Sequence, residues 1–337
     1  MKYIKLLIPV LFLLAGFTNK SFRGYYLSGY AQGTTYHITY YAADSLVAVA
    51  EIDSIMSSLD SSLSLYKPYS LISAFNNAEK EIAMDEHFKN VIEKAIRISK
   101  ETHGISDPTV FPLVQAWGFG PKKDVPSPDS ASINKILPCV GVENIYVNGN
   151  KLNKKNPCTK IDLNGIAQGY SVDVVAAFLE KKGIKNYLVE IGGEIVVKGK
   201  KYPGAKKMSV GIETPSNDPL ESSIMYQVIY PGNGSITTSG NYRKFHESGG
   251  KIISHLIDPR SGYPFSNELL SVTVWAKDAI SADGYDNALM GMGLNDALVF
   301  LKKHPELQAF LIYRAEDGVV KSVSTKGFRK FYKYRAS

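Results

Sequence analysis

The 337-residue sequence predicts a single α+β unit, with mixed or antiparallel sheets and flanking helices, behind a short N-terminal export segment. Three observations carry this expectation. Segments rich in β-branched residues arrive in runs rather than in alternation with helices, which argues against a doubly wound sheet. Helical apolar stripes are confined to a few places, and no internal repeat or low-complexity linker divides residues 21–337. The composition is globular, with 44% hydrophobic and 21% charged residues and 28 Gly and 16 Pro to make turns. A chain of this length buries a sizeable core.

Residues 1–20 have the layout of a secretory signal: Lys2 and Lys5, then an apolar stretch from Leu6 to Phe17. The stretch is short against the roughly 20 residues of a membrane-spanning helix. Phe17 stands where a lipoprotein signal needs its cysteine, which argues against a lipid anchor. Removing Lys2, Lys5 and Lys20, with no acid among the first twenty residues, lowers the net charge from +7 to +4. Such a scattered balance makes no case for nucleic-acid binding. The expectation is an exported protein on the periplasmic side of the inner membrane, soluble or N-terminally anchored.

After residue 20, an amphipathic helix is expected over about 44–65, with Leu46, Val49, Ile52, Met56, Leu59 and Leu63 on one stripe. A second, over about 85–102, carries Phe88, Val91, Ile92, Ala95 and Ile96. NIYVNGNKLN reads as a hairpin turning at Asn148-Gly149-Asn150. Its flanks carry the two cysteines, Cys139 and Cys158; in an oxidising compartment they suit a disulfide, and two unpaired thiols are the alternative. A helix over about 165–183 ends at Gly183, a C-cap residue. Strands are expected at YLVEIGGEIVVKG, MSVGIET, MYQVIY, SITTSG, KIISHLID and LLSVTVWA. A helix over about 278–304 and the strands AFLIY and GVVKSVS follow. The basic KGFRKFYKYR run reads as a solvated tail or an edge strand.

Five segments carry chemistry. In THGISDPTVFPLVQAWGFGP, Asp107-Pro108-Thr109 fixes a carboxylate in a turn, a weak signal alone for which an Asx-turn cap is the plainer reading. IDLNGIAQGYSVD ends a strand at Asp162 and opens a helix through glycine turns, a natural seat for phosphate oxygens. Its turn carbonyls suit a hard cation; a generic strand-to-helix turn is the alternative. SITTSGNYRKF lets a ligand approach the backbone. SHLIDPRSGYP gathers His255, Asp258 and Arg260. In SADGYDNALMGMG, Asp283 and Asn287 are spaced i, i+4 and share one helix face, a pair of oxygen donors suited to Mg²⁺ beside a phosphate. An N-cap Asp and a surface Asn would leave the same pattern.

In order, Gly33-Thr34-Thr35, SLYKPYSLISAFN, DPTVFPLVQAWGFG, IDLNGIAQGYSVD, LVEIGGEI, TTSGNYRKF, SHLIDPRSGYP and SADGYDNALMGMG span nearly everything after residue 30. The ordered set resembles the ApbE family of FAD:protein FMN transferases. The resemblance implies one α+β unit, related to the T-fold, that takes FAD as substrate with Mg²⁺ against its pyrophosphate. It assigns the metal to the backbone oxygen of Ala167 and the side chains of Asp283 and Asn287. It assigns FAD contacts to Gln32, Tyr69, Ser70, Leu71, Asp107, Tyr170 and Ile257, and makes His255 the candidate general base. The implied partner is an acceptor flavoprotein bearing a Ser/Thr motif, either a subunit of a membrane redox complex or an extracellular protein. FMN passes to its hydroxyl and AMP leaves.

The sequence departs from that pattern at five positions. Asn287 stands for a usual Thr, Gln168 for a frequent Lys, Ser106 for an aromatic, Glu194 for an Asp and Gln32 for a common Met. Two rival functions fit the same residues: an FAD pyrophosphatase yielding FMN and AMP, and a non-catalytic periplasmic flavin binder.

Overall fold

A computed structural model describes residues 21–122, 125–213, 225–240, 245–248 and 251–332, so the reading of residues 1–20 lies outside the described residues. Alternating aromatic and hydroxyl residues form an N-terminal hairpin, β1 (Arg23–Ala31) and β2 (Thr34–Ala42). Neither strand is among those expected above. Both are tyrosine-rich, with no long β-branched run to mark them.

The chain continues through α1 (Val49–Leu63), α2 (Leu71–Asn77), β3 (Glu81–Ala83) and α3 (Glu86–Glu101). The α1 stripe buries Ile52, Met56, Leu59 and Leu63 as expected. The helix starts only at Val49, however, and Leu46 and Val49 are exposed. Two short helices, α4 (Phe111–Ala116) and α5 (Ser130–Ile136), precede the predicted hairpin of β4 (Ile145–Asn148) and β5 (Lys151–Lys154). Cys139 and Cys158 flank that hairpin and are disulfide-bonded, with Cα atoms 5.4 Å apart.

Next come α6 (Asn164–Lys181), β6 (Tyr187–Ile191), β7 (Glu194–Lys198), β8 (Val210–Glu213), β9 (Met225–Ile229) and β10 (Gly234–Gly240). After β11 (Phe245–Ser248) and β12 (Lys251–Ser254), β13 (Leu269–Ala276) leads into α7 (Ala279–Met292). The single helix expected over 278–304 is two. Gly293 adopts φ +75°, where a helix stops, and α8 (Leu294–Lys303) starts afresh. The chain then forms β14 (Gln308–Arg314) and β15 (Val320–Ser324). The described part of the KGFRKFYKYR run, residues 326–332, is no solvated tail: Phe328 is fully buried in a 3-10 turn against Phe310.

Eight strands form one antiparallel sheet in the order β1-β2-β6-β7-β10-β13-β14-β15. One face packs on α1, α3, α6 and α7 through the main core, which includes Ile38, Ile52, Phe88, Val172, Val189 and Val274. The other face is covered by β8, β9 and the C-terminal turn, around Tyr41, Val197, Ile229, Phe310 and Phe328. A third cluster, with Leu113, Ile133, Val140 and Ile257, lies under α4 and α5.

The register gives the first four strands two distinct ends. Arg23 pairs with Ala42, Tyr40 with Tyr187 and Tyr187 with Lys198 at one end. Ala31 pairs with Thr34, Tyr36 with Ile191 and Ile191 with Glu194 at the other.

Candidate functional site

At that second end the β1–β2 turn, the β6–β7 turn and the first turns of α6 converge. Gln32 takes φ +54° in the tip of the hairpin, and its Nε2 donates to Ser171 Oγ at 2.8 Å. Ser171 Oγ donates in turn to the carbonyl of Ala167 at 2.8 Å. Gly192, at φ +61°, has no room for a side chain: a Cβ there would lie 2.0 Å from Gln168 Nε2 and 2.8 Å from Thr34 Cγ2. Only glycine combines that backbone with that approach.

Helix α7 lies against α6 because Gly169 has no side chain. A Cβ on Gly169 would come within 2.4 Å of the Ala279 carbonyl and 2.7 Å of Asp283 Cβ. The Gly169 N–H donates to Asp283 Oδ2 at 2.8 Å. Asp173, one turn further along α6, caps α7 by accepting from the N–H groups of Ala279 (2.9 Å) and Ile280 (2.8 Å). Asn287 ties the third side: its Nδ2 donates to the carbonyls of Gly165 and Asp283, and its Oδ1 accepts from Ser239 Oγ at 3.0 Å. The structure thus brings Gln32, Ala167, Asp283 and Asn287 together.

Electrostatics mark the same spot. Asp283 is 4% exposed, and burial pushes its carboxyl up to about 7, with the Asp173 charge adding to the rise and the Gly169 N–H opposing it. Asp286, one turn along α7, is 2% exposed, and burial first, then the charge of Asp283, raises it well above the carboxylate range. Its Oδ1 has no hydrogen-bond partner. Burial likewise raises Asp173 to about 6. Among the described residues, no lysine or arginine forms an ion pair with Asp283 or Asp286. Asp286 and Asp173 were not singled out from the sequence. The i, i+3 spacing of Asp286 from Asp283 was its one local signal.

The oxygen set suits Mg²⁺. A carboxylate, an amide oxygen and a helix-start carbonyl are hard donors of the kind that ion takes alongside water and phosphate. Buried carboxylates such as Asp283 are what such an ion would neutralise. Among the described residues no cluster of three or more His, Cys, Asp or Glu side chains is arranged to hold a metal, and the set here, with one carboxylate, is of a different kind.

The other predicted residues are placed differently. Tyr69 is 68% exposed, Ser70 is buried and caps α2 by accepting from Ser73 N, and Leu71 packs on the main core. Tyr170 Oη bonds His87 Nδ1 (3.0 Å) and Asn90 Nδ2 (3.2 Å). Ile257 is buried in the third cluster and bridges Pro264.

Asp107 is a structural node. Its carboxylate accepts from Thr109 N, Thr109 Oγ1, Ser99 Oγ and Val142 N. The Asx-turn cap is what the structure contains there, and the side chain has its acceptor positions filled by protein. His255 follows β12, half-buried, with its ring edge-on to Phe119 at 6.3 Å. Asp258 and Arg260, grouped with it in the sequence, pair with each other at 2.9 Å, and Asp258 closes the turn by accepting from Gly262 N through its carbonyl.

A sheet layered with helices, and an oxygen-lined glycine junction at one end of it, define an α+β protein with a helix-start junction of the kind that seats phosphate oxygens. Residues 32–311 match the model of the ApbE family, and the chain belongs to that family. It is 38% identical over 329 residues to an FAD:protein FMN transferase of Vibrio cholerae, covering 95% of this chain and 96% of the relative. It is 38% identical over 321 residues to the Haemophilus influenzae protein of the same name, covering 90% of each. Among solved structures, the flavin transferase ApbE from Vibrio cholerae superimposes with a TM-score of 0.82 at 35% identity, covering 92% of this chain and 99% of that one.

Proposed function

We propose that this protein transfers FMN from FAD to a Ser or Thr hydroxyl of an acceptor flavoprotein, with release of AMP. The observation that carries the reading is the junction of α6 and α7, where Ala167, Asp283 and Asn287 gather hard oxygens beside a glycine-lined turn. Those three groups would hold Mg²⁺. Bound there, the ion neutralises charge on the pyrophosphate.

The chain's own residues supply position and proton handling. The first turn of α6 points backbone N–H groups outward, a seat for phosphate oxygens, and the bare backbone of Gly192 lets Gln168 and Thr34 pack close beside it. Gln32, at the hairpin tip beside α6, is the FAD contact best placed for a role in orientation. His255 is the proposed general base: it takes the acceptor hydroxyl's proton as the oxygen bonds to the FMN-side phosphorus. The pyrophosphate P–O bond breaks, and AMP leaves with its electron pair. Positioning and charge stabilisation supply most of the rate in such transfers. Export to the periplasmic side of the inner membrane is part of the same proposal, supported by the layout of residues 1–20.

The test is flavin fluorescence that stays with the acceptor through denaturing electrophoresis. The expected band requires FAD, Mg²⁺ and the acceptor hydroxyl. FMN and AMP accumulating with no labelled acceptor would make the protein a pyrophosphatase. FAD left unchanged would make it a binder.

A further inference from the structure

The end of the sheet opposite the candidate site carries a concentration of positive charge that the proposed chemistry does not use. Between residues 195 and 212 there are five lysines and no Asp or Glu. Lys198 ends β7 and pairs with Glu180 at 2.7 Å. Beyond it the chain turns back on itself, with Lys201 and Lys206 bridging through their backbones at 2.8 and 3.1 Å. Lys200, Lys201, Lys206 and Lys207 are all exposed, and none is paired with a carboxylate among the described residues. Lys185, also exposed, has its carbonyl against Gly199.

A run of lysines is by itself an ordinary solvated loop. What distinguishes this one is its neighbour. Phe22, 41% exposed and one residue into the described chain, packs edge-on against Tyr202 at 5.1 Å, within the lysine turn. The described chain therefore enters the fold at Phe22 and β1 beside the lysines. The register fixes the direction. Arg23, Ala42, Tyr187 and Lys198 mark one end of the strands, while Gln32 and Gly192 mark the site end. The nine residues of β1 separate the two by about 30 Å.

We infer that the Lys200–Lys207 turn and Phe22 dock this end of the protein on an anionic phospholipid surface, with the site held away from the bilayer. A short apolar segment anchors weakly alone, and a basic patch supplies the second attachment. Lysines near an anionic surface each add to the binding, and salt weakens it. The orientation would present the site to domains that stand off the membrane. The inference goes beyond the transfer reaction and holds whatever group the site transfers.

The test is co-sedimentation of the full chain with vesicles of phosphatidylcholine, alone or mixed 3:1 with phosphatidylglycerol. Residues 1–20 contribute to both, so the readout is the excess on anionic vesicles. A tenfold or greater excess is expected at low salt, falling steeply as salt rises. K200E/K201E/K206E/K207E should remove the excess, leaving FAD turnover in solution at the wild-type rate. An equal excess in that variant would assign the attraction to Lys2 and Lys5 and overturn the inference. So would no excess at all, or capture by a soluble poly-glutamate as strong as by the vesicles, which would mark an acidic protein partner instead.

Discussion

Gly169 is where the account is most exposed to a single substitution. A methyl group there would sit 2.4 Å from the Ala279 carbonyl and 2.7 Å from Asp283 Cβ. Ordinary C···O approaches are no closer than about 3.3 Å, so α6 and α7 must part by roughly 1 Å. Overpacking of this kind destabilises by about 1–3 kcal/mol, and replacing a helical glycine by alanine returns about 1 kcal/mol. The net change in stability is therefore small. The effect on activity is not, because the shift separates Ala167 from Asp283 and Asn287, and misplacement by about 1 Å in a catalytic constellation costs on the order of a hundredfold.

Gly169→Ala should accordingly lose about a hundredfold in kcat/KM for FMN transfer, with a higher Mg²⁺ requirement and a Tm within a few degrees of wild type. Gly183→Ala is the control. Gly183 sits beyond the end of α6 at φ +81° with open space around it, and an alanine there costs about 1–2 kcal/mol of backbone strain without touching the site. Full activity of Gly169→Ala at ordinary Mg²⁺, or equal activity losses in the two variants, would refute the claim that α6–α7 contact sets the site.

Asp283→Asn keeps an acceptor for the Gly169 N–H but removes the charge, so Mg²⁺ binding by calorimetry and FMN transfer should both vanish while the Tm holds or rises. His255→Ala should slow transfer by about a hundredfold with FAD affinity unchanged; a rate loss explained by weaker FAD binding would leave His255 a turn-shaping residue. Asp173 is raised from 3.8 to about 6, so its native form holds a proton that the unfolded chain releases. Between pH 4 and 6 the native state then binds more protons, and stability falls as pH rises, by up to about 3 kcal/mol. Urea titrations of Asp173→Asn should lack that slope. Cys139 and Cys158, 19 residues apart, should contribute about 3 kcal/mol by the chain-entropy estimate, read as a lower denaturation midpoint in Cys139→Ser/Cys158→Ser with activity retained at moderate temperature.

What the sequence made legible is local. The i, i+4 pair Asp283 and Asn287 and the glycines of IDLNGIAQGY are short-range patterns, and the structure joins them. The hairpin between the cysteines was equally local, two strands around a turn at Gly149. What escaped is set by packing between distant segments. Asp286 looks like any helical surface acid until β10 and β7 close over α7. Asp107 reads from the sequence either as a ligand contact or as an Asx-turn cap, and Ser99 and Val142, from elsewhere in the chain, fill its remaining oxygen positions only once the fold is formed. Phe328 lies in a basic run, yet burial against Phe310 decides its fate. Gly293 breaks a helix that its apolar neighbours would otherwise continue.

The central claim, transfer of FMN to a protein hydroxyl, is tested most directly by counting products in one reaction. Protein, FAD, Mg²⁺ and an acceptor flavoprotein are mixed, the acceptor is weighed intact by mass spectrometry, and AMP is quantified in the same sample. One FMN should be added per AMP released, with neither product's share changed by added free FMN. AMP released in step with free FMN, with the acceptor's mass unchanged, would contradict it.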